Sequence, residues 1–290
     1  MPLNGEILTK ALVSTRTAKV LRQAQDYISQ DKKFLVTTPN PEIVSFANSN
    51  RVYRQTYLRS EIVIPDGVGL SAAKKFLDLP APKFLLFRCI VLIFQGLYVG
   101  VLTLMGEKKL ASGLSIIRGR AIFENFIKLA NRKKYRVFLY GSWADVPKRA
   151  KETIKASYKK VKIEVFAPPV YNEKGVPVGK EEADKELAGI KKINDFRPHM
   201  LFIGISSPKE LLLLDRVWRD LKANMVMPVG QTIDIYAGNY QAIPGTFEKL
   251  GLEWLWRLIT GTKSLKRIWI SFPLFPLKIF WYKLTKLESV

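Results

Sequence analysis

Residues 135–166 read YRVFLYGSWADVPKRAKETIKASYKKVKIEVF. A β-branched and aromatic run over 136–140 stops at Gly141, a helical pattern fills 147–158, and a second apolar run occupies 161–166. The alternation continues outward. A Pro/Gly-rich loop leads through Gly179 to a helix expected over 181–196, a strand over 200–205, the loop Ser206-Ser207-Pro208-Lys209, a helix over 210–222 and a strand over 225–229. Toward the N-terminus, a strand over 34–38 ends in Thr37-Thr38-Pro39-Asn40-Pro41 and a helix follows over 42–50. Another apolar run, 61–65, stops at Asp66-Gly67-Val68-Gly69 before a helix over 70–77. Strands alternating with helices predict an α/β fold, a Rossmann-like parallel sheet covered by helices on both faces. Such sheets bind ligands at the carboxyl ends of their strands, where helix N-termini attract anions, so a phosphorylated ligand is expected there.

The chain has 290 residues, enough for a large core, and 47 Lys+Arg against 25 Asp+Glu give a net charge of +22. That imbalance calls for a polyanionic partner, and nucleic acid, an anionic membrane face or a phosphorylated small molecule would each serve. A single cysteine, Cys89, excludes an intramolecular disulfide, and with His199 as the only histidine, Cys/His zinc sites and two-histidine mechanisms are excluded too. His199, at the entry to a strand, reads as a structural histidine, and Cys89 as an inert apolar residue. The first thirty residues lack the apolar core and small-residue cleavage site of a secretory leader, so no export signal is expected.

Two segments depart from a plain soluble domain. Residues 84–106 carry Arg88 as their only charge and, as a helix, would measure roughly 35 Å, enough to cross a hydrocarbon core. The tail from Arg257 sets Lys263, Lys266, Arg267, Lys278, Lys283 and Lys286 among Trp269, Phe272, Phe275 and Trp281. Cations interleaved with amphipathic aromatics suit the headgroup layer of an anionic membrane. The division expected is therefore 1–250 as a catalytic domain with 84–106 as an apolar membrane-associating insertion, and 251–290 as a membrane-binding appendage. A lone crossing by 84–106 would put Asp66 and the 135–234 half on opposite sides of the bilayer. The segment is expected instead to lie in the interfacial plane or re-enter the same face, with Lys83 and Arg88 before it and Lys108 and Lys109 after it meeting one anionic surface.

Asp66 is the carboxylate best placed for chemistry. An Asp-Gly pair alone is a turn signal. Here Thr38 and Asn40 close a second strand, so one sheet edge collects a hydroxyl, an amide and a carboxylate, the mixture that orients a polyhydroxylated substrate and takes a proton from a sugar hydroxyl.

At these residues the chain resembles the WecG/TagA/CpsF bacterial glycosyltransferases, glycosyltransferase family 26. Thr38-Pro39-Asn40-Pro41-Glu42 is similar to the family's early Thr-x-Asn segment, and Ile64-Pro65-Asp66-Gly67-Val68-Gly69 to its Pro-Asp-Gly motif. Further matches follow in order: 135–141, Arg197-Pro198 with Gly204 through Pro208-Lys209, Asp234 with Ala237-Gly238 and Pro244, and Gly251-Leu252-Glu253-Trp254-Leu255-Trp256-Arg257-Leu258. The resemblance implies transfer of an N-acetylmannosamine-type sugar, with inversion, from a UDP donor to N-acetylglucosamine on a polyprenyl diphosphate. It implies no cofactor and no required metal, and the sequence contains no Asp-x-Asp. In those terms Asp66 is the base, Thr38, Asn40 and Gly67 belong to its site, Gly141, Gly204, Pro208, Lys209, Gln231 and Asp234 hold the nucleotide, and Arg257 and Arg267 stabilise the departing diphosphate. Asp234 reads either as a nucleotide ligand or as a satisfied strand-end carboxylate.

The departures are equally specific. The family's Pro-Lys-Gln-Glu reads Pro208-Lys209-Glu210-Leu211, its Arg-Ala-Pro reads Ala242-Ile243-Pro244, its Gly-Gly reads Gly230-Gln231, and an expected Arg is Leu110, for which Lys109, Arg118 or Arg120 would have to compensate. These changes keep a rival reading open, a catalytically degenerate, membrane-associated nucleotide-sugar-binding scaffold. Nucleic acid is not the expected partner, and a homo-oligomer is compatible with the reading. The expected location is the cytoplasmic face of a bacterial cell membrane, in the assembly of a teichoic acid or another cell-surface polysaccharide.

Overall fold

The computed structural model describes residues 3–240, 243–249, 253–261 and 265–286. Two helices the sequence reading did not anticipate, α1 (Gly5–Ala11) and α2 (Thr17–Ser29), precede strand β1 (Phe34–Thr37). Then come α3 (Pro41–Ser49), α4 (Arg51–Leu58), β2 (Ile62–Val63), α5 (Val68–Asp78), α6 (Leu85–Leu104), α7 (Glu107–Leu110) and α8 (Gly119–Lys133). The second half follows the expected alternation: β3 (Arg136–Gly141), α9 (Val146–Ser157), β4 (Lys162–Phe166), α10 (Lys180–Phe196), β5 (Met200–Gly204), α11 (Lys209–Val217) and β6 (Met225–Pro228). Short helices α12 (Thr232–Tyr236), α13 (Gly245–Lys249), α14 (Glu253–Ile259) and α15 (Leu265–Trp269) lead through a wide helical turn, Ile270–Leu274, into α16 (Phe275–Thr285).

The six strands form one parallel sheet in the order β2-β1-β6-β5-β3-β4. Alternate residues feed two cores. Leu35, Phe138, Tyr140, Leu201 and Val226 face one side, where α3, α5, α6, α11 and α16 contribute. Phe34, Val36, Val137, Leu139 and Phe202 face the other, against α2, α8 and α9. A strand buried on both faces must be apolar at successive positions, which is why these runs were legible as continuous rather than alternating.

The strand order places a reversal between β3 and β5: the chain leaves β3 toward β4 and leaves β5 in the opposite direction, toward β6. At that point Gly141 pairs with Gly204. A side chain on Gly141 would sit 2.6 Å from Ile233 Cδ1 and 2.8 Å from the Gly204 backbone, so both glycines are needed for contact between the strand ends.

The structure corrects the expected exposure of two basic residues. Arg88 and Lys283, read as lipid-facing cations, are both buried and satisfied by oxygen atoms within the protein. The proposed boundary at 250 falls outside the described residues, as do Ala242, Gly251 and Leu252.

Candidate active site

The Pro-Asp-Gly-x-Gly segment is fixed by backbone geometry. Asp66 N donates to Pro39 O at 2.8 Å, Gly67 takes φ +87° as it enters α5, and a side chain on Gly69 would lie 2.6 Å from Pro41 Cγ. The glycines thus let the start of α5 press against the start of α3, bringing Asp66 to the loop that carries Thr38 and Asn40. The segment before α8 adds a third wall, because Ile117 N bonds Pro65 O at 3.1 Å and brings the α8 N-terminus over the same edge. A methyl group on Gly119 would lie 3.5 Å from Asp66 Oδ2 and 3.7 Å from Thr38 Oγ1.

These groups line a cleft of about 270 Å³. Arg118 and Arg120 line it from α8, Ser206 and Glu210 from the β5 loop and α11, and Trp256 and Arg267 from the C-terminal segment. Asp66 is partly exposed at its wall. The uncapped first turn of α8 offers backbone N–H groups and a dipole beside the two guanidinium groups, an environment that favours an anion.

Asn40 has two duties. Its Oδ1 accepts from Glu42 N and Ile43 N, both at 3.0 Å, capping α3. Both lone pairs of that oxygen are then in use, so a substrate contact by Asn40 would come from its NH₂ group. Glu42, 1% exposed, pairs with Arg267 across the fold, so the tail arginine reaches the cleft as a held cation. Glu210 is also buried, and its Oε1 accepts from Gly230 N at 3.0 Å, tying α11 to the β6 loop. Burial pushes its carboxyl up to about 7, against the opposing pull of the Gly230 N–H and Arg267.

A second cleft, about 300 Å³, adjoins the first and shares Ser206, Gly230, Gln231 and Tyr240 with it. It opens where β3 and β5 part. Gly204 and Ser142 line it, with Lys209 and Asp234 beside them. Ser142 Oγ donates to Asp234 Oδ1 at 2.6 Å, and Lys209 Nζ donates to Tyr171 O at 2.6 Å. Burial raises the Asp234 carboxyl above its ordinary range, partly countered by Ser142 and Asn239. Asp234 lies in α12 rather than at a strand end; its carboxylate is hydrogen-bonded and also lines the cleft. Ser142 and Ser206 both take positive φ, +61° and +73°, in the loops that form this crevice.

The sequence-predicted residues therefore divide. Thr38, Asn40, Asp66 and Arg267 line the first cleft, Gly204, Lys209 and Asp234 line the second, and Gln231 lines both. Gly67, Gly141 and Pro208 line neither: Gly67 opens α5, Gly141 packs at the strand crossing, and Pro208 precedes α11 through a cis Ser207-Pro208 bond. Arg257 lies in α14, and its side chain is outside those described. Of the suggested substitutes for the missing arginine, Arg118 and Arg120 line the cleft and Lys109 does not. The sequence reading gave no role to Gly119, Ser142 or Tyr53. Ser142 follows a strand-ending glycine, a local signal that could have marked it; Tyr53, whose hydroxyl is 3.4 Å from Ser207 Oγ, carries none. His199 is structural, its Nδ1 accepting from Arg136 N at 3.0 Å.

Comparison with known proteins gives a consistent result. The glycosyl transferase WecG/TagA/CpsF family matches residues 6–89 and 99–289. A Bacillus spizizenii protein named N-acetylglucosaminyldiphosphoundecaprenol N-acetyl-beta-D-mannosaminyltransferase is 24% identical over 260 residues, 90% of this chain and 84% of the relative. Proteins of the same name from Bacillus subtilis and Staphylococcus aureus are each 24% identical, over 253 and 251 residues; each alignment spans 87% of this chain and 81% of the relative.

Proposed function

The chain belongs to the glycosyl transferase WecG/TagA/CpsF family, and on that premise we propose that it moves an N-acetylmannosamine-type sugar from UDP to N-acetylglucosamine on a polyprenyl diphosphate. The observation that carries the reading is the convergence of Asp66 Oδ2 and Thr38 Oγ1 on the α8 N-terminus, inside a cleft continuous with the crevice at the β3/β5 reversal. The nucleotide occupies the crevice, near Ser142, Lys209 and Asp234. The donor sugar projects into the first cleft.

Transfer is a single displacement with inversion. Asp66 takes the proton of the acceptor hydroxyl, the hydroxyl oxygen forms a bond to the anomeric carbon, and the bond from that carbon to the diphosphate oxygen breaks with its electron pair leaving on UDP. The developing charge on the diphosphate is met by Arg118, Arg120 and Arg267 with the α8 N-terminus, so the reaction takes no metal. The enzyme works at the cytoplasmic face of a bacterial membrane, where a polyprenyl-linked acceptor is anchored, and feeds assembly of a cell-surface polymer such as a teichoic acid.

Incubation of the purified chain with a panel of UDP-sugars and a polyprenyl-diphosphate N-acetylglucosamine acceptor, in the presence of a chelator, tests this. Mass spectrometry should show the acceptor extended by one N-acetylhexosamine, and Asp66→Asn should slow the extension by at least about a hundredfold. A folded protein that binds UDP-sugars yet extends no acceptor would support the scaffold reading instead.

A further inference from the structure

Helix α6 has its polarity reversed relative to a helix on a water-facing surface. The residues turned toward the protein are Arg88, Leu92, Gln95 and Val99, a stripe at helical spacing. Arg88 donates through Nε and Nη2 to Lys283 O and through Nη1 to Pro82 O, and Gln95 Nε2 donates to Pro80 O. Lys283 Nζ, reaching inward from α16, donates to Phe76 O, Leu79 O and Gln95 Oε1. Burial, then the nearby Arg88, brings the Lys283 ammonium down to about 8. Every charged or amide side chain of α6 thus lies on the protein side. The outer arc is apolar, with Phe94 67% and Leu97 64% exposed beside Phe87, Ile90 and Val101.

The tail exposes further aromatics. Helix α16 packs on α5 and α6, and Trp281 is 59% exposed on it; Trp269 and Phe272 are exposed just before it. Exposed cations stand at both ends of α6, Lys83 at one and Lys108 and Lys109 at the other. The chain as a whole carries +22. An apolar face bounded by cations is complementary to an anionic lipid leaflet, and water offers it nothing. The family match passes over residues 90–98, the middle of this helix, and takes in its two ends.

We infer that α6 lies flat in one leaflet of an anionic phospholipid membrane, its outer arc among the acyl chains and its inner stripe clamped to the body by Arg88, Gln95 and Lys283. The inference deepens the proposed function, from a lipid-linked acceptor to a defined lipid-contact face. A spanning orientation would strip the body from the inner stripe and leave Arg88 and Gln95 in hydrocarbon. The stripe is held near both ends, by Arg88 in the first turn and by Val99 buried three turns later. Helix α5 starts two residues after Asp66, and its Phe76 ring meets α6 at Gly96, 4.0 Å from the position a side chain there would take. Nine residues of helix, about 13 Å, thus separate the start of α5 beside the carboxylate from its contact with α6.

The test uses the full chain with vesicles of phosphatidylcholine containing about one-third phosphatidylglycerol. The double variant Phe94→Glu/Leu97→Glu should lower partitioning at least about tenfold, with unchanged circular dichroism melting and unchanged transfer to a water-soluble, short-chain diphosphate acceptor. In a Cys89→Ser background, nitroxides at F94C and at K83C and K108C should report acyl depth for the first and headgroup depth for the others. An impermeant reductant added outside should reach both lysine-position labels. Protection of one of them means a crossing and overturns the inference. So does unchanged partitioning of the double variant, or a solution dimer that the double variant dissociates and vesicles do not. Loss of partitioning in the double variant, in a protein whose wild type transfers no sugar, would uphold this inference while ending the proposed function.

Discussion

Helix α8 is apolar along one face and helix α6 along nearly its whole length, and the two turn their polar and apolar residues in opposite senses. Helix α8 buries Ile122, Phe123, Phe126 and Ile127 against the sheet and directs Glu124 and Lys128 outward, where they pair at 2.9 Å. Helix α6 buries Arg88 and exposes Phe94. The first arrangement is what a core demands, and its uncapped end then serves the cleft. The second places ionic groups where oxygen atoms of the protein satisfy them, and leaves the apolar side for another solvent. Two phases of the same helical period therefore separate the helix that walls the cleft from the helix that presents an apolar arc.

The comparison is broken if the two regions fail independently of this division. The largest effect belongs to the cleft: Asp66→Asn should lower kcat by roughly 10²–10⁴-fold while leaving the melting curve and vesicle partitioning in place. A variant that unfolds instead would make Asp66 a structural residue. On the α6 side the order of effects reverses. Arg88→Ala, by removing a buried cation that serves carbonyls of two segments, should cost about 3 kcal/mol or more in urea unfolding, whereas Phe87→Ser on the outer arc should change stability by less than about 0.5 kcal/mol. Equal losses for the two would erase the distinction between the arcs.

A smaller effect sharpens the account of the cleft's floor. Unfolded, Glu210 titrates near the ordinary carboxylate value, and folded it titrates at about 7. Between those values the folded chain retains a proton that the unfolded chain has released, so stability falls as pH rises from about 4.5 to about 7 and stays lower above. Glu210→Gln keeps an acceptor for Gly230 N–H and removes the charge. It should be more stable than wild type by about 3 kcal/mol at pH 8 and within about 0.5 kcal/mol of it at pH 4.5. The same offset at both pH values would remove the titration from Glu210. The smallest effect separates the two duties of Asn40. Asn40→Ala should lose about 1 kcal/mol of stability with its cap; Asn40→Asp should keep the cap, and loss of turnover there would assign the NH₂ group to the substrate.

The strands of the second half were readable because a sheet covered on both faces requires unbroken apolar runs, as at 136–140 and 200–204, and each run ends at a glycine that the strand contact demands. Asp66, Thr38 and Asn40 were readable for a related reason: the glycines beside Asp66 exist to bring two helix starts together, and glycine spacing is a sequence property. What was not readable depended on phase and on long-range contact. The composition of 84–106 announces an apolar helix without saying that Arg88 points inward. The ion pair between Arg267 and Glu42 joins residues 225 positions apart, and no local pattern encodes it. Arg118 and Arg120 enter the cleft because Ile117 bonds the backbone of Pro65, a crossing set by tertiary packing.

The paired glycines at the β3/β5 crossing have a practical corollary. With Ile233 closed down on them, the strand crossing beside the second cleft admits no side chain, so on the proposed function a redesigned preference for one sugar nucleotide over another has to be written around the cleft opening, at Ser142, Lys209 and Asp234. Attempts to evolve the enzyme toward new donors should accumulate changes along that border and leave positions 141 and 204 untouched.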